Sequence, residues 1–516
     1  MGGITGYNTD TTLKETPVAS NGHDGDDSVT NEYPVIIVGA GPVGLLLALQ
    51  LAQSGIRSVV LEKEIRLNDA PRAIGYHGPI HKVFEDIGLY DQIIHDGMPS
   101  GGYVWRTLPI DEEVNGNKIR KLGKIIGTNN MGRRNDDGSY ELGKYTIQLA
   151  QTELSKLFIN AAANIGFSET LWGHQVTALD QDNTGVTVSV QTMDGVNKRF
   201  RGQFLVGCDG GRSTIRKLLG VRLHGHSWPE RFLATDVLRT APVVPEIPVH
   251  FVVDPRYWAV VTPLETVEAG KPGLWRYSMA VPARPREDDD DITNMPLTDE
   301  QVMEPEYVRS LVERQVDGTI GGDFEVVRKS LYKMHQLVAS TMHRGRCFLA
   351  GDSAHINNPI GGLGLCTGLL DADALHQTLK IAFSSCKPNK GGTNGINGTG
   401  HNGNGDWGND PRSSKAQQNS KLPAGKSVDL NALFSRYSME RRRIFQNVIH
   451  PVSSGNKLRL HVGKPEDVAR EDWYLGALRR GDPEELKTIH GSLWEDWRTD
   501  MWKFQSSWLQ DSKDGS

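Results

Sequence analysis

Cysteine is scarce: Cys208, Cys347, Cys366 and Cys386 are the only four in 516 residues, and none belongs to a CxxC pair. That spacing speaks against a zinc site or a redox dithiol and for free thiols in a reducing compartment. An excess of basic charge is also missing. With 57 Lys and Arg against 63 Asp and Glu, the net charge is −6, so no broad electropositive surface for nucleic acid or an anionic membrane is expected. Long apolar runs are absent: the longest, around Leu45 to Leu51, is interrupted by Gln50 and falls far short of the about 20 residues that span a bilayer. The first thirty-odd residues are polar, acidic and Gly-rich, with neither the basic start nor the apolar block of a signal peptide. These absences predict a soluble, cytoplasmic protein that handles a small molecule, with a disordered tail over residues 1–33. A second stretch, residues 387–427, is rich in Gly, Asn and Ser and reads as a disordered insertion.

What is present begins at Pro34. The run VIIVGAGPVGLLLALQLAQSGIRSVVLEKE has the pattern of a buried strand, a glycine turn, a helix closed near Gly55 and a second buried strand. Gly39-Ala40-Gly41-Pro42-Val43-Gly44 fits GxGxxG in that βαβ context. Gly39 permits the tight turn, Gly41 lets backbone approach a pyrophosphate, and Gly44 lets helix and strand pack closely. Glu62 ends the second strand, 18 residues beyond Gly44, where an acid accepts hydrogen bonds from a ribose. An adenine dinucleotide is therefore expected, with NAD and FAD both open at this point.

The stretch GDSAHINNPIGGLGLCTG, Gly351 to Gly368, discriminates between them. Asp352 follows a buried strand and so stands at the carboxyl end of a sheet, where α/β folds bind ligands. A flavin has a use for this second site, because its ribityl hydroxyls suit a carboxylate and its pyrimidine end gains charge on reduction. A glycine-lined helix start offers bare N–H groups and a positive dipole end to that charge. His355 reads as an organising hydrogen-bond residue of the motif.

On these residues the chain resembles the class A flavoprotein monooxygenases, the p-hydroxybenzoate hydroxylase-like group, over roughly residues 34 to 455. GAGPVG with Glu62, the GCDG stretch with Asp209, and GDSAHINNPIGGLGL with Asp352 occur in the family's order. Arg72 in PRAI and Gln151 in LAQTEL match lesser flavin-contacting positions. The resemblance implies an α/β fold: a Rossmann-like FAD-binding domain (34–227 and 339–386), an inserted antiparallel β-sheet substrate lobe (228–338) and a C-terminal helical region (428–516). It implies non-covalent FAD, with Asp352 on the ribityl chain, backbone at Gly364, Leu365 and Cys366 facing the pyrimidine end, and the Pro359 backbone close to flavin C4a. Asp209 belongs to the cofactor set, in a structural or indirect role. Cys366 departs from the family's usual Asn, and a small side chain at a crowded helix start is the simplest account of it.

The reaction so implied is hydroxylation of an aromatic or polycyclic small molecule through a flavin C4a-hydroperoxide, with NADH or NADPH as co-substrate and O2 as oxidant. A place in secondary metabolism, and a monomer or homodimer, are expected. Baeyer–Villiger insertion or epoxidation on the same fold, and a non-catalytic flavin redox module, are the alternatives. Catalytic candidates come from the lobe's β-type stretches VHFVV, YWAVVTPL and LWRYSMAV: His250, Tyr257, Trp258, Arg276 and Tyr277. The acidic run Asp288 to Asp291 reads as a solvated loop, so no metal is expected. The Trp-rich end reads as helical and packed on the body.

Overall fold

Val35, Ile36 and Ile37 are all fully buried, as are Val59, Val60 and Leu61. Such unbroken burial, without alternation, marks strands covered on both faces, as in a parallel sheet. The computed structural model describes residues 30–68, 74–132, 135–282, 296–319, 322–385, 422–423, 426–494 and 497–511. Arg72, Cys386, the acidic run Asp288 to Asp291, and most of the expected tail and insertion lie outside the described residues.

The first sheet runs in the order Ser168–Trp172, Ser58–Glu62, Thr30–Val38, Asn197–Gly207, Val186–Thr192, His174–Gln181. Its first four strands are parallel, and Cys347–Leu349 adds a fifth parallel strand beside Leu205 to Gly207. The helix Pro42–Gln53 covers this sheet together with Gln151–Ile165 and Leu363–Ser385. The carboxyl ends of the parallel strands carry Glu62, Gly39, Cys208 and Ala350 to one edge.

The second sheet is ordered His355–Ile356, Phe324–Ala339, Leu223–Thr240, Pro272–Val281, Ala259–Pro263, His250–Val252, Gly102–Arg106, Ile125–Asn130. Its two faces are covered differently. Phe232, Phe251, Trp258 and Met334 form one apolar cluster with Ile360, Leu460 and Leu475. Leu233, Val252, Val261 and Tyr277 form another with Val302, Val308 and Leu311 from the 299–313 helices.

Three boundaries differ from the sequence expectation. The first strand starts at Thr30, because residues 30–33 pair with Arg199 to Gly202. The expected insertion ends earlier than residue 427, since Lys426–Val428 pairs with Leu509–Asp511. The substrate lobe is not confined to 228–338: Gly102–Arg106 and Ile125–Asn130, from the stretch expected in the FAD-binding domain, complete its sheet. These strands are short and their partners distant, so local pattern does not reveal them. Trp497 and Trp508 are buried as expected, whereas Trp473 is 54% exposed.

Candidate active site

The glycine turn is dictated by contacts. Gly39 has a φ of +107°, and a Cβ there would lie 2.4 Å from the Cys208 carbonyl oxygen. A Cβ on Gly44 would lie 2.2 Å from the Gly39 carbonyl oxygen. Gly41 differs: nothing stands within 4 Å of its Cβ position, and it is the residue preceding the helix Pro42–Gln53. The turn is thus close-packed by protein at its two ends and open at its centre, the arrangement a pyrophosphate at a helix N-terminus requires. Glu62 lies beside it, accepting from Ala40 N–H at 2.7 Å and from Glu64 N–H at 2.9 Å. Gln151 opens the helix Gln151–Ile165.

Asp209 sits at the end of the neighbouring parallel strand, and its carboxylate is occupied. It accepts from Ser213 Oγ at 2.5 Å and from the Thr214 and Ile215 amides at 2.7 and 3.1 Å, stabilising the start of the helix Thr214–Leu218. The carboxylate is thus engaged in capping that helix.

The 350–362 loop leaves the strand Cys347–Leu349, turns at Gly351 (φ +63°), presents Asp352 to solvent, and then joins the second sheet through His355–Ile356. Pro359 is exposed and its carbonyl accepts from Gly362 N–H at 3.1 Å, a turn that delivers the chain into the helix Leu363–Ser385. Gly364 and Leu365 in that first turn are half-buried, and first-turn amides have no intrahelical acceptor. The loop packs directly on the dinucleotide motif, since Cβ atoms on Gly351 and Gly368 would both meet the Val43 side chain, at 3.0 and 2.9 Å. Glu62, Gly41, Asp352 and the helix start therefore gather at the carboxyl end of the parallel sheet, and these residues fit an FAD.

Polar residues absent from the sequence expectation pin this loop from four sides. Asp371, fully buried, accepts from Gly351 N–H at 3.0 Å, from His355 Nε2 at 2.6 Å and from Arg441 Nε at 2.6 Å. Burial acts to raise its pKa, but the His355 and Arg441 partners outweigh that and hold it below the ordinary carboxylate value. Gln336 donates to Asn357 Oδ1 at 2.6 Å and accepts from Asn358 Nδ2 at 2.9 Å. Asn357 Nδ2 donates to Ser453 Oγ at 2.9 Å. His77 Nε2 bonds the Gly361 carbonyl at 2.9 Å, so Nε2 is the protonated nitrogen and Nδ1 accepts from Thr146 Oγ1 at 3.2 Å. Burial lowers the His77 pKa to about 4. Each of these is a single polar side chain in an unremarkable context, and no local signal could have found it.

The Cys366 thiol faces away from solvent. It donates to the Gly75 carbonyl and accepts from His77 N–H, both at 3.4 Å, and burial pushes its pKa up to about 12. The backbone of Cys366 keeps its place in the first helical turn, while the side chain ties that turn to residues 75–77.

The expected catalytic candidates do not converge. Trp258 is on the sheet face shared with Ile360, stacked on Phe232 at 5.7 Å. His250 alternates with Phe251 and so belongs to the opposite face; it is buried, bonds the Pro248 carbonyl at 3.0 Å, and desolvation with nearby Arg106 lowers its pKa to about 3. Tyr277 lies in the cluster on that outer face, and Tyr257 packs against it beneath the Arg314 guanidinium, 4.3 Å from the ring centroid. Arg276 is locked on buried Asp236 at 2.8 and 3.1 Å. Asp236 pairs with Arg328, eight residues before Gln336, which puts the ion pair about 25 Å along the strand from the loop. His250, Tyr257 and Tyr277 thus belong to the face opposite Trp258, and Arg276 stands far along the sheet from the loop, so the five residues are not brought together.

The FAD binding domain family model matches residues 32–386. Para-nitrophenol 4-monooxygenase of Pseudomonas sp. (strain WBC-3) is 33% identical over 347 residues, 67% of this chain and 77% of that protein. 6-Hydroxy-3-succinoylpyridine 3-monooxygenase HspB of Pseudomonas putida is 28% identical over 442 residues, 85% of this chain and 91% of that one. Among solved structures, p-nitrophenol 4-monooxygenase PnpA of Pseudomonas putida DLL-E4 superposes with a TM-score of 0.66 at 27% identity, covering 90% of this chain and all of the other.

Proposed function

We propose, from the premise that this chain belongs to the FAD-binding-domain family and is an FAD-dependent monooxygenase, that it hydroxylates an aromatic small molecule with NAD(P)H as electron donor and O2 as oxidant. The observation that carries the reading is the meeting of two anchors. The open Gly41 turn with Glu62, and Asp352 with the start of Leu363–Ser385, both follow the carboxyl ends of parallel strands, and Ile360 of the same loop joins an apolar cluster of the second sheet.

When bound, the flavin supplies the redox chemistry and the activation of oxygen. The chain's residues do the rest. Glu62 takes the adenosine ribose, the turn at Gly41 and the dipole of Pro42–Gln53 take the pyrophosphate, and Asp352 takes the ribityl hydroxyls. The amides of Gly364, Leu365 and Cys366 stabilise charge at the pyrimidine end. Arg72 and Gln151 remain candidates for further flavin contacts. Ile360, Phe232, Trp258 and Leu460 form one apolar cluster beside the loop, which excludes water from the reacting ring. The exposed Pro359 backbone, in the turn that leads into the helix Leu363–Ser385, would face the reacting end of the flavin. Gln336, Ser453 and His77 hold the loop in place beside this apolar face.

The test is an absorbance spectrum of the purified protein followed by NAD(P)H oxidation with and without a phenol panel. Bound flavin, substrate-stimulated oxidation and a product heavier by one oxygen atom are expected. Protein without flavin, or flavin whose reduction never yields an oxygenated product, contradicts the reading.

A further inference from the structure

Glu230 occupies a break in the second sheet. Ser227 pairs with His335 and Arg231 with Lys333, so Trp228, Pro229 and Glu230 together oppose the single residue Met334. Such a bulge, here with a proline that cannot donate to a ladder, re-aims side chains out of the sheet's regular alternation. Met334 is on the face shared with Ile360.

Two independent rulers place this bulge beside the loop. On the strand Phe324–Ala339, Gln336 holds Asn357 and Asn358, and Met334 is two residues away, about 7 Å. On the helix His450–His461, Ser453 holds Asn357 and Lys457 follows one turn later, about 6 Å along the axis. Strand and helix meet again at the far side of that gap, where Lys457 Nζ donates to Glu230 Oε1 at 2.8 Å and also bonds His461 Nε2, which lies 3.3 Å from the same oxygen.

The second carboxylate oxygen, Glu230 Oε2, is buried and accepts from no other residue, the Glu230 backbone N–H lying alongside its own carboxylate. A buried acceptor of this kind is costly unless a donor arrives. The surroundings are flat and aromatic: Lys457 Nζ lies 5.5 Å from the Trp228 ring centroid and 6.0 Å from that of Trp258, which stacks on Phe232. An acceptor thus stands beside flat aromatic faces.

Resting on the monooxygenase reading, we propose that Glu230 Oε2 accepts the hydrogen bond of a substrate's ring hydroxyl, with Lys457 and His461 as the positioning residues that hold the carboxylate. This makes Glu230 the residue that selects phenols over their ethers. It also aids ring oxidation, because a hydroxyl that donates to a carboxylate releases more electron density into the ring.

Flavin absorbance titrations of the oxidised holoenzyme with 4-nitrophenol and with 4-nitroanisole, at a pH below the phenol's own pKa, test the assignment. Wild type is expected to bind the phenol about tenfold or more tightly than the ether. In Glu230→Gln the ratio falls below about threefold with flavin content unchanged, and Glu230→Asp, which keeps the charge but withdraws the oxygen, moves it the same way. Wild type that does not discriminate, binds neither probe, or keeps its ratio in both variants overturns the Glu230 assignment while leaving the flavoenzyme reading intact. Purified protein without flavin overturns both.

Discussion

Gly39, Gly41 and Gly44 belong to one motif but act through different physics, and substitution separates them. Alanine at Gly39 or Gly44 brings a Cβ within 2.4 or 2.2 Å of a carbonyl oxygen, so both variants are expected to lose about 2 kcal/mol or more of stability along with flavin. Alanine at Gly41 meets no protein atom within 4 Å and sits at a φ of −72° that any residue adopts. Gly41→Ala should therefore keep the melting temperature of the flavin-free protein and lose affinity for flavin only. Equal melting losses in all three variants would falsify this division. The motif and its spacing are legible in sequence; which glycine faces protein and which faces open space is a property of the Cys208 and Gly39 carbonyls, which only the fold places.

At the scale of elements, the helix Leu363–Ser385 works as a hub. Its first turn serves the cleft, and two turns on Asp371 collects donors from the 350–362 loop, from His355 and from the helix Leu430–Ile444 through Arg441. Arg441 is itself fully buried and donates to the Trp497 and Thr367 carbonyls. Asp371→Asn strands that guanidinium without its counter-charge, and a loss of about 3–5 kcal/mol is expected, read by thermal or urea denaturation. A variant as stable as wild type would show that the ion pair contributes no net stability. The helix and the parallel strands are readable from apolar runs and glycine punctuation. Asp371 looks from sequence like any polar residue in a helix, because its value depends on partners 16 to 70 residues away.

Over the whole molecule, several histidines are buried in the neutral state. Burial depresses His77 and His81 to about 4 and His250 to about 3, from an ordinary 6.5. Above pH 6.5 folded and unfolded chains are both neutral at these rings, and the stability they confer is complete. As pH falls from 6.5, the unfolded chain takes up protons that the folded chain refuses, so stability declines down to about pH 4 for His77 and His81 and about pH 3 for His250. The loss is on the order of 3 kcal/mol each for His77 and His81 and about 5 kcal/mol for His250. Melting temperatures measured from pH 7 downward should fall through this window, and a flat profile would contradict the burial of these rings.

The sequence by itself determined the class of chemistry here. GxGxxG with Glu62 and the Asp352 stretch are local codes, in which backbone conformation and ligand contact come from neighbouring residues, so they survive being read in one dimension. Tertiary structure decided what stands across from them. Strand parity puts His250 and Tyr277 on the sheet face opposite Phe251 and Phe232, the Arg276–Asp236 pair stands far along the strand from the loop, and a bulge takes Glu230 out of the sheet's regular alternation. Such assignments depend on register and on which face of a sheet is covered, and both are set by contacts between residues far apart in the chain.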